Sequence, residues 1–194
     1  MTALGVAAPP LSRSRIRRLV AEYRSLIGVD EHPFIPVVEI LERRDVLGAI
    51  APGFDMRIGD AEEMGENHGL TYSIDREIVI REDIYERACA HFGRDRMTIA
   101  HEIGHAALHA DLPYTRRLEE KVKTFQDPEW QASAFGGELL VNPQHLGQFA
   151  TLNAMADGFG VTVDALRIQL RAFERDGIVW NEQGGPAGNR PALP

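Results

Sequence analysis

The spacing of apolar residues predicts helices along much of the chain. After Ser12 and Ser14, either of which could cap a helix, apolar residues recur with the helical period until Gly28. The inward positions of this first helix are Ile16, Leu19, Val20, Tyr23, Leu26 and Ile27. Pro36 predicts the start of a second helix over residues 37–44. Each helix has one apolar side, and we expect both to pack on the same domain.

A period typical of strands follows in the next part of the chain. Residues 46–50 are the only strand-like piece between residues 45 and 69. Apolar and polar residues alternate over residues 70–74 and again over residues 77–81, and the two residues between them can form a turn. This pattern predicts a β-hairpin. Helical character returns at residues 83–90 and leads into a longer helix, so we expect the hairpin to lie beside that helix.

A further helix is predicted over residues 127–140. Asp127 stands at the cap position and Pro128 at the first helical position, and Pro143 closes the helix. The apolar stripe of this helix consists of Ala132, Phe135 and Leu139. This stripe predicts that the helix packs against the core of the protein.

The last part of the chain is predicted to form helices of its own. Residues 154–166 resemble a helix-turn-helix, with a short helix, a glycine turn and a second helix capped by Thr162. Because the sequence shows no clear basic face there, we expect residues 146–180 to be a helical appendage packed on a domain of residues 1–145. Residues 181–194 are rich in Gly and Pro and are expected to be a disordered tail.

Composition and charge narrow the function classes. The 194 residues are 44% hydrophobic and 26% charged, which is typical of a soluble globular protein with a real core. The apolar run at residues 3–8 is too short for a signal peptide and nothing suggests a membrane span, so we expect a cytoplasmic protein. The net charge of −8 disfavours non-specific nucleic-acid binding by the whole surface.

The single cysteine and the arginines of the first predicted helix each have a structural and a functional interpretation. Cys89 is the only cysteine, which excludes an internal disulfide and favours a small buried hydrophobe over a ligand or nucleophile. The first predicted helix carries five arginines, namely Arg13, Arg15, Arg17, Arg18 and Arg24. We interpret this cluster as a solvated helix face, with contact to nucleic acid or to an acidic partner as the alternative.

The sequence His-Glu-x-x-His at residues 101–105 is the strongest chemical signal in the chain. Two neutral imidazoles four residues apart lie one turn apart on one helix face, so His101 and His105 could bind one metal ion. Glu102 projects from a neighbouring position, where it could instead accept a proton from water. The alternative is a polar or packed histidine pair. Apolar helical spacing around the two histidines supports a helix with one packed face.

A catalytic zinc usually has three protein ligands, so one more ligand is needed. Glu129 lies in the first turn of its predicted helix and faces inward, which makes it the preferred candidate. Its alternative role is to stabilise the helix N-terminus electrostatically. Asp111 is a rival candidate for the third ligand. Glu138 is a further carboxylate, and its presence is explained by a solvated helix face. His109 lies two turns beyond His101, about 12 Å along the axis, which is too far to share one ion on an unbroken helix.

Three linked motifs are more specific than the pentapeptide alone. Residues 94–109 read RDRMTIAHEIGHAALH, residues 127–135 read DPEWQASAF, and residues 138–143 read ELLVNP. Together with the hairpin and residues 80–88, they resemble the ImmA/IrrE family of bacterial metallo-endopeptidases over about residues 65–143. The resemblance implies an α+β fold. In such a fold, a small zincin-like domain has a short antiparallel sheet packed on the motif helix, and further helices follow at the C-terminus.

The resemblance also implies the chemistry of the site. It implies zinc held by His101, His105 and Glu129, with Glu102 as general acid/base and manganese as another metal that could support activity. Members of the family typically cleave a helix-turn-helix repressor and so derepress genes of mobile elements or stress responses. Such a repressor is the expected partner. The pairs at residues 136–137 and 141–142 depart from the usual family pattern, and we expect them to alter packing more than ligation.

The sequence leaves further roles and functions open. Four residues could support the ligands from behind or face the substrate, namely His109, Tyr72, His68 and Arg96. An alternative function is a non-proteolytic transcriptional regulator that binds a repressor or DNA, with a structural or sensing metal site. Residues 154–173 would be the part that contacts nucleic acid. A metal-dependent hydrolase of small amides would use the same three ligands.

Overall fold

The computed structural model describes residues 7–112 and 122–180, and these ranges contain nine α-helices and one three-stranded sheet. The helices are α1 (Arg13–Leu26), α2 (Val37–Glu42), α3 (Arg44–Ile50), α4 (Ala61–Met64), α5 (Glu82–Cys89), α6 (Gly93–Leu108), α7 (Pro128–Leu140), α8 (Leu152–Phe159) and α9 (Val163–Arg175). Two 3-10 helices, Thr124–Gln126 and Pro143–Gln148, flank α7. The predicted α+β class is confirmed. The predicted tail at residues 181–194 lies outside the described residues.

Local sequence signals set the ends of several helices. The Ser12 side chain accepts from the Arg15 backbone N–H at 3.3 Å and caps α1. Asp127 and Thr162 cap α7 and α9 in the same way, with acceptor distances of 3.0 Å and 3.1 Å. Gly28 follows α1 with a φ of 72°, which is a left-handed conformation that favours glycine. The predicted starts of these three helices are confirmed.

The sheet is mixed. Strands β2 (Gly69–Tyr72) and β3 (Glu77–Arg81) pair antiparallel, as the alternating pattern predicts. Strand β1 (Asp55–Gly59) pairs parallel with the other side of β3, so the order is β1-β3-β2. The predicted short antiparallel sheet is present as the pair β2–β3. Strand β1, which the sequence did not reveal, adds a parallel pair to it. Both β1 and β2 are edge strands, and β2 lies against α6.

The strand-like stretch at residues 46–50 is helical. It forms most of α3, in which Leu47 and Ile50 are each 1% exposed. These two residues are three positions apart, so they share one helix face, whereas alternation in a strand would place them on opposite faces. The prediction of strand character failed because a short apolar run fits either period.

Helices α6 and α7 form the centre of the molecule and pack closely together. A Cβ built on Gly104 would lie 3.0 Å from the Ala132 carbonyl oxygen. A Cβ built on Gly136 would lie 3.2 Å from the Ala100 carbonyl carbon. Both distances are tight for a Cβ, so glycine at these two positions permits the short separation of the helix backbones. The close approach brings the first turn of α7 to the motif face of α6.

The C-terminal helices share the core of the rest of the described chain. Phe159 of α8 and Leu166 and Phe173 of α9 are fully buried and belong to the same apolar cluster as α6 and α7. These contacts agree with helices packed on the domain. The division into residues 1–145 and 146–180 stays a prediction. Within the described residues, no helix is both long enough and apolar enough to cross a membrane.

A buried ion cluster joins α1, α7 and α9. Glu138 is 0% exposed, and its carboxylate accepts from Arg13 and Arg17 at 2.9 Å each. The Arg24 guanidinium, 2% exposed, donates to the Glu138 carbonyl oxygen at 2.7 Å. The prediction of a solvated face is wrong for Glu138 and for these three arginines. The carboxylate on α7 and the guanidinium groups on α1 neutralise each other in the interior. The sequence of either helix alone does not reveal this pairing.

One further burial prediction is corrected. Cys89 is the last residue of α5 and is exposed, so it is not a small buried hydrophobe. Its neighbour Ala88 and the earlier Ile84 form the buried side of α5, each at 0% exposure. Cys89 follows Ala88 in the sequence but does not belong to this buried side of the helix.

Candidate metal centre

Helix α6 places the two motif histidines side by side. The Nε2 atoms of His101 and His105 lie 3.0 Å apart, as their one-turn separation predicts. On the other side of the helix, Ile99 and Ile103 are each 0% exposed. The apolar face anchors α6 in the core and directs the imidazoles away from it.

Glu129 reaches the histidines from the first turn of α7. One of its carboxylate oxygens lies 3.3 Å from His101 Nε2, and the other lies 3.4 Å from His105 Nε2. Candidate ligand atoms of the three residues all lie within 4.8 Å of one another. Within the described residues they are the only such group of three His, Cys, Asp or Glu side chains. The structure therefore brings together the three residues that the sequence nominated.

The geometry and chemistry of these three residues fit a zinc ion. Ligand atoms about 2.1 Å from a tetrahedral zinc lie about 3.4 Å from one another, close to the observed separations. Two imidazole nitrogens and a carboxylate are also a donor set that zinc prefers. Three electron-rich groups that converge in this way repel one another unless a proton or a metal ion lies among them. No further protein ligand is needed, because a catalytic zinc leaves one position for water or substrate.

The electrostatics of the three residues agree with a cation site. Burial lowers the pKa of His101, but the hydrogen bond to Glu129 and the charges of Glu102 and Glu129 outweigh burial, so this pKa is raised. Burial raises the pKa of Glu129, but hydrogen bonds from His101 and His105 outweigh it, so this pKa is well below its ordinary value. Glu129 is therefore ionised at neutral pH, and protons compete with a metal for His101.

Glu102 lies beside the three residues and is held by strand β2. It is 7% exposed, and the Thr71 hydroxyl donates to its carboxylate at 2.7 Å. A Cβ built on Gly69 would lie 2.6 Å from the Glu102 Cγ, so any larger residue at this position would displace the Glu102 side chain. Sequence reasoning did not identify Thr71 or Gly69. The only signal was their position in a strand predicted to lie next to the motif helix.

His109 lies behind His105. It is 1% exposed, and its Nδ1 lies 3.1 Å from His105 Nδ1. Its Nε2 lies 2.9 Å from the Gln131 side-chain oxygen. Burial lowers the pKa of His109 to about 4, so the ring is neutral at neutral pH. The His109 side chain is therefore enclosed behind His105 and does not face solvent, and its role in the support of a metal ligand stays a prediction.

Two residues of α7 contact the histidines and were missed in the sequence. Gln131 bonds to His109, and the Ser133 hydroxyl lies 3.2 Å from His101 Nδ1. Ser133 stands four positions after Glu129, so it shares a helix face with that residue, and this spacing was a usable signal. Nothing in the sequence marked Gln131, because its partner comes from another helix.

The remaining candidates lie elsewhere or have other partners. Arg96 is 1% exposed, and its guanidinium donates to the carbonyl oxygens of Ile35 and Gly160 at 2.7 Å and 2.8 Å. It is thus a buried packing residue and does not face a substrate. Asp111 pairs with Arg76 at 2.8 Å, and its side chain is 92% exposed. The rival ligand is therefore directed into solvent.

Two further candidates remain at the edge of the sheet. Tyr72 is the last residue of β2, and His68 immediately precedes the strand. Both side chains are partly exposed. Neither belongs to the group of candidate ligands. Their predicted roles toward a substrate stay predictions.

Comparison with known protein families shows which family the chain belongs to. The family model of the IrrE N-terminal-like domain, peptidase M78, matches residues 58–171, which is more than half of the chain. The chain belongs to the peptidase M78 family. The match to M78 contains α6, α7 and all four residues of the candidate centre, and it continues through α8 into α9. The resemblance found in the sequence is confirmed. No curated protein and no solved structure matches the chain.

Proposed function

We propose that the chain is a zinc-dependent endopeptidase. The observation that carries this proposal is the convergence of His101 Nε2, His105 Nε2 and the Glu129 carboxylate next to Glu102. Membership of a metallopeptidase family supports it. His101, His105 and Glu129 would hold the metal. Manganese is a second metal that such a donor set accepts.

Glu102 is the general acid/base of the proposed reaction. A bound zinc would supply Lewis acidity to the scissile carbonyl and acidity to water. Glu102 would take the proton of the attacking water and pass it to the amine that leaves. The hydroxyl of Thr71 holds this carboxylate, which leaves one oxygen of the pair for proton transfer. His109 has no direct part in this transfer, because it lies behind His105.

The substrate is an extended peptide segment that binds along strand β2. This strand is at the sheet edge and adjoins Glu102 through Thr71. Its outer edge is available to pair with main-chain groups of a substrate. A cavity of about 430 Å³ beside His101, between α6 and the start of α9, offers space for a substrate side chain. We infer that the segment crosses the metal centre between these two features.

The proposed protein substrate is a helix-turn-helix repressor in the cytoplasm of a bacterium. Cleavage of the repressor would derepress genes of a mobile element or a stress response. The resemblance to ImmA/IrrE peptidases motivates this substrate, and M78 membership supports it. The net charge of −8 also favours encounter with a basic DNA-binding protein.

The proposal is tested with the full chain and a repressor encoded beside its gene. Wild-type protein with zinc or manganese should cleave that repressor at a defined position, measured by mass spectrometry. Glu102→Gln should bind zinc as tightly as the wild type and leave the repressor intact, because the amide cannot accept the proton. Cleavage by Glu102→Gln at the wild-type rate would refute the role of Glu102.

A second function is favoured by the geometry of α8 and α9. Gly160 adopts a left-handed conformation between the two helices, and Thr162 caps α9, as in a helix-turn-helix. Exposed Arg167 and Arg171 lie on α9. A regulator that binds DNA or a repressor without cleavage would use this surface. A gel shift that Arg167→Ala and Arg171→Ala abolish, without proteolysis under any metal, would favour this function over the peptidase.

A further inference from the structure

The orientation of the Gln131 amide is determined by two backbone carbonyls. The side chain is 2% exposed, and its nitrogen lies 2.9 Å from the Pro9 carbonyl oxygen and 2.8 Å from the Phe125 carbonyl oxygen. A carbonyl oxygen can only accept a hydrogen bond, so the atom that faces both carbonyls must be the amide nitrogen. The other end of the amide is then the oxygen, which can only accept.

This assignment determines the tautomer of His109. The Gln131 oxygen lies 2.9 Å from His109 Nε2, so this nitrogen must carry the hydrogen that the oxygen accepts. A neutral imidazole carries one hydrogen, and His109 Nδ1 therefore has a lone pair. His109 is 1% exposed, so water does not compete with these protein partners.

The tautomer of His105 follows from that of His109. The two Nδ1 atoms lie 3.1 Å apart, and only one hydrogen can lie between them. Because His109 Nδ1 accepts, His105 Nδ1 must donate. One hydrogen of His105 is thereby assigned to Nδ1, and Nε2 is the ring nitrogen that remains for a metal. That Nε2 is the atom 3.4 Å from the Glu129 carboxylate.

His101 lacks an equivalent constraint. Its Nδ1 lies 3.2 Å from the Ser133 hydroxyl, and a hydroxyl can either donate or accept. Ser133 is also exposed, so water can replace it. The two histidines of the motif therefore differ. Only His105 is connected to a chain of partners with assigned directions.

We propose that His109 and Gln131 are positioning residues that hold His105 in the Nδ1–H tautomer, with Nε2 prepared to bind the metal. This inference rests on the proposed metal site. The chain of hydrogen bonds extends from the Pro9 carbonyl through Gln131 and His109 to His105. A metal then meets a histidine whose hydrogen is already on Nδ1, so binding at Nε2 requires no change of tautomer.

The first test measures tautomers in the metal-free, full-length wild-type protein. Long-range ¹H–¹⁵N correlation spectra distinguish the protonated from the unprotonated nitrogen in each ring. We expect the hydrogen on Nδ1 of His105 and on Nε2 of His109. A His105 ring with no hydrogen on Nδ1 would overturn the proposal. The readout needs neither metal nor substrate, so it is separate from a failure of the proposed peptidase activity.

The second test removes the acceptor at position 109. His109→Phe keeps a buried ring but cannot accept from His105, so we expect about 10–100-fold weaker zinc binding in a chelator competition assay. Metal-free His105 should also shift toward the Nε2–H tautomer in this variant. His109→Asn, whose side-chain oxygen can accept the His105 hydrogen, should recover part of the affinity.

The matched control is His145→Phe. His145 is also a buried histidine, 7% exposed, and bonds to a glutamine side chain and a backbone carbonyl, but it is not connected to the metal centre. We expect it to bind zinc with the wild-type Kd. Wild-type zinc affinity in a folded His109→Phe protein would refute the proposal. If His109→Phe does not fold, the tautomer measurement on the wild type decides.

Discussion

Glu102 depends on a strand that is distant in the sequence. The Thr71 hydroxyl lies 2.7 Å from the carboxylate of Glu102 and 3.2 Å from its backbone carbonyl oxygen, so these two acceptors share its one hydrogen. The absence of a side chain at Gly69 lets β2 come close enough for these contacts. The orientation of the proposed general base is thus determined by β2 and not by α6 alone.

Replacing Thr71 with valine tests this support. The valine keeps the shape but removes the donor, and a hydrogen bond to a carboxylate contributes about 1.5–3 kcal/mol. We expect kcat for the repressor to fall about tenfold or more, with the zinc Kd unchanged. Thr124→Val, the same change at an exposed position outside the centre, is the control. Equal kcat values for the two variants would show that Thr71 does not orient Glu102.

Glu129 and Asp111 are the two carboxylates that compete for the third ligand position. Only Glu129 lies at the histidines, since Asp111 is directed into solvent. Removal of a ligand should cost more than the roughly 10–100-fold typical of residues behind ligands, so Glu129→Ala should weaken zinc binding more than about 100-fold. Isothermal titration with zinc measures this. Asp111→Ala should bind zinc like the wild type, and the reverse order would assign the ligand to Asp111.

At the scale of elements, the metal centre depends on how closely α6 and α7 approach each other. His101 and His105 belong to one helix and Glu129 to the other, so a shift of either helix changes the ligand separations. Gly104 lies between the two histidine turns and faces the Ala132 carbonyl oxygen. The motif therefore carries a packing residue as well as ligands.

We expect Gly104→Ala to destabilise the protein. The added Cβ would lie 3.0 Å from a backbone oxygen, which cannot move away like a flexible side chain. Overpacking of this kind costs about 1–3 kcal/mol, and the displaced α7 should also weaken zinc binding. Gly48→Ala is the control, because a Cβ at Gly48 in α3 has no neighbour within 4 Å. That variant should be stabilised by up to about 1 kcal/mol in urea unfolding.

A stable Gly104→Ala protein with wild-type zinc affinity would refute this view of the helix pair. Destabilisation of both glycine variants by equal amounts would also contradict it. The two substitutions have the same helix propensity term. Their difference therefore reports the contact with α7.

At the scale of the whole molecule, Glu138 connects the N-terminal helix to the C-terminal helices. Arg13 donates both to the Glu138 carboxylate and to Gln169 of α9, and Arg17 also pairs with Asp176 at 2.8 Å. Glu138 lies on α7, the helix that carries Glu129. Helices α1 and α9 are thereby coupled to the helix that provides the proposed third ligand.

Replacing Glu138 with glutamine should destabilise the folded chain by about 3–5 kcal/mol, because it removes the counter-charge of Arg13 and one of the two carboxylate partners of Arg17. Chemical unfolding followed by circular dichroism measures this. Glu63→Gln removes a carboxylate partner of Arg57 at an exposed pair and should cost far less than Glu138→Gln. Similar decreases in the free energy of unfolding for both variants would show that the buried cluster stabilises the fold no more than an exposed ion pair does.

Several features could be predicted from residues close together in sequence. The His-Glu-x-x-His spacing sets the two histidines on one face of α6, and the caps at Ser12, Asp127 and Thr162 start their helices. The alternation in residues 70–81 defines the hairpin. In each case the deciding interaction lies within a few residues, so the local period contains the information.

The sequence by itself determined the family, the motif helix and the nomination of Glu129, and the tertiary structure decided the rest. Only the fold directs Asp111 outward, buries Glu138 among arginines and pairs β1 parallel with β3. Only the fold brings Thr71 to Glu102 and connects Gln131 through His109 to His105. These contacts join residues from 4 to 125 positions apart, and most depend on packing between separate elements. Local periodicity contains no information on such packing.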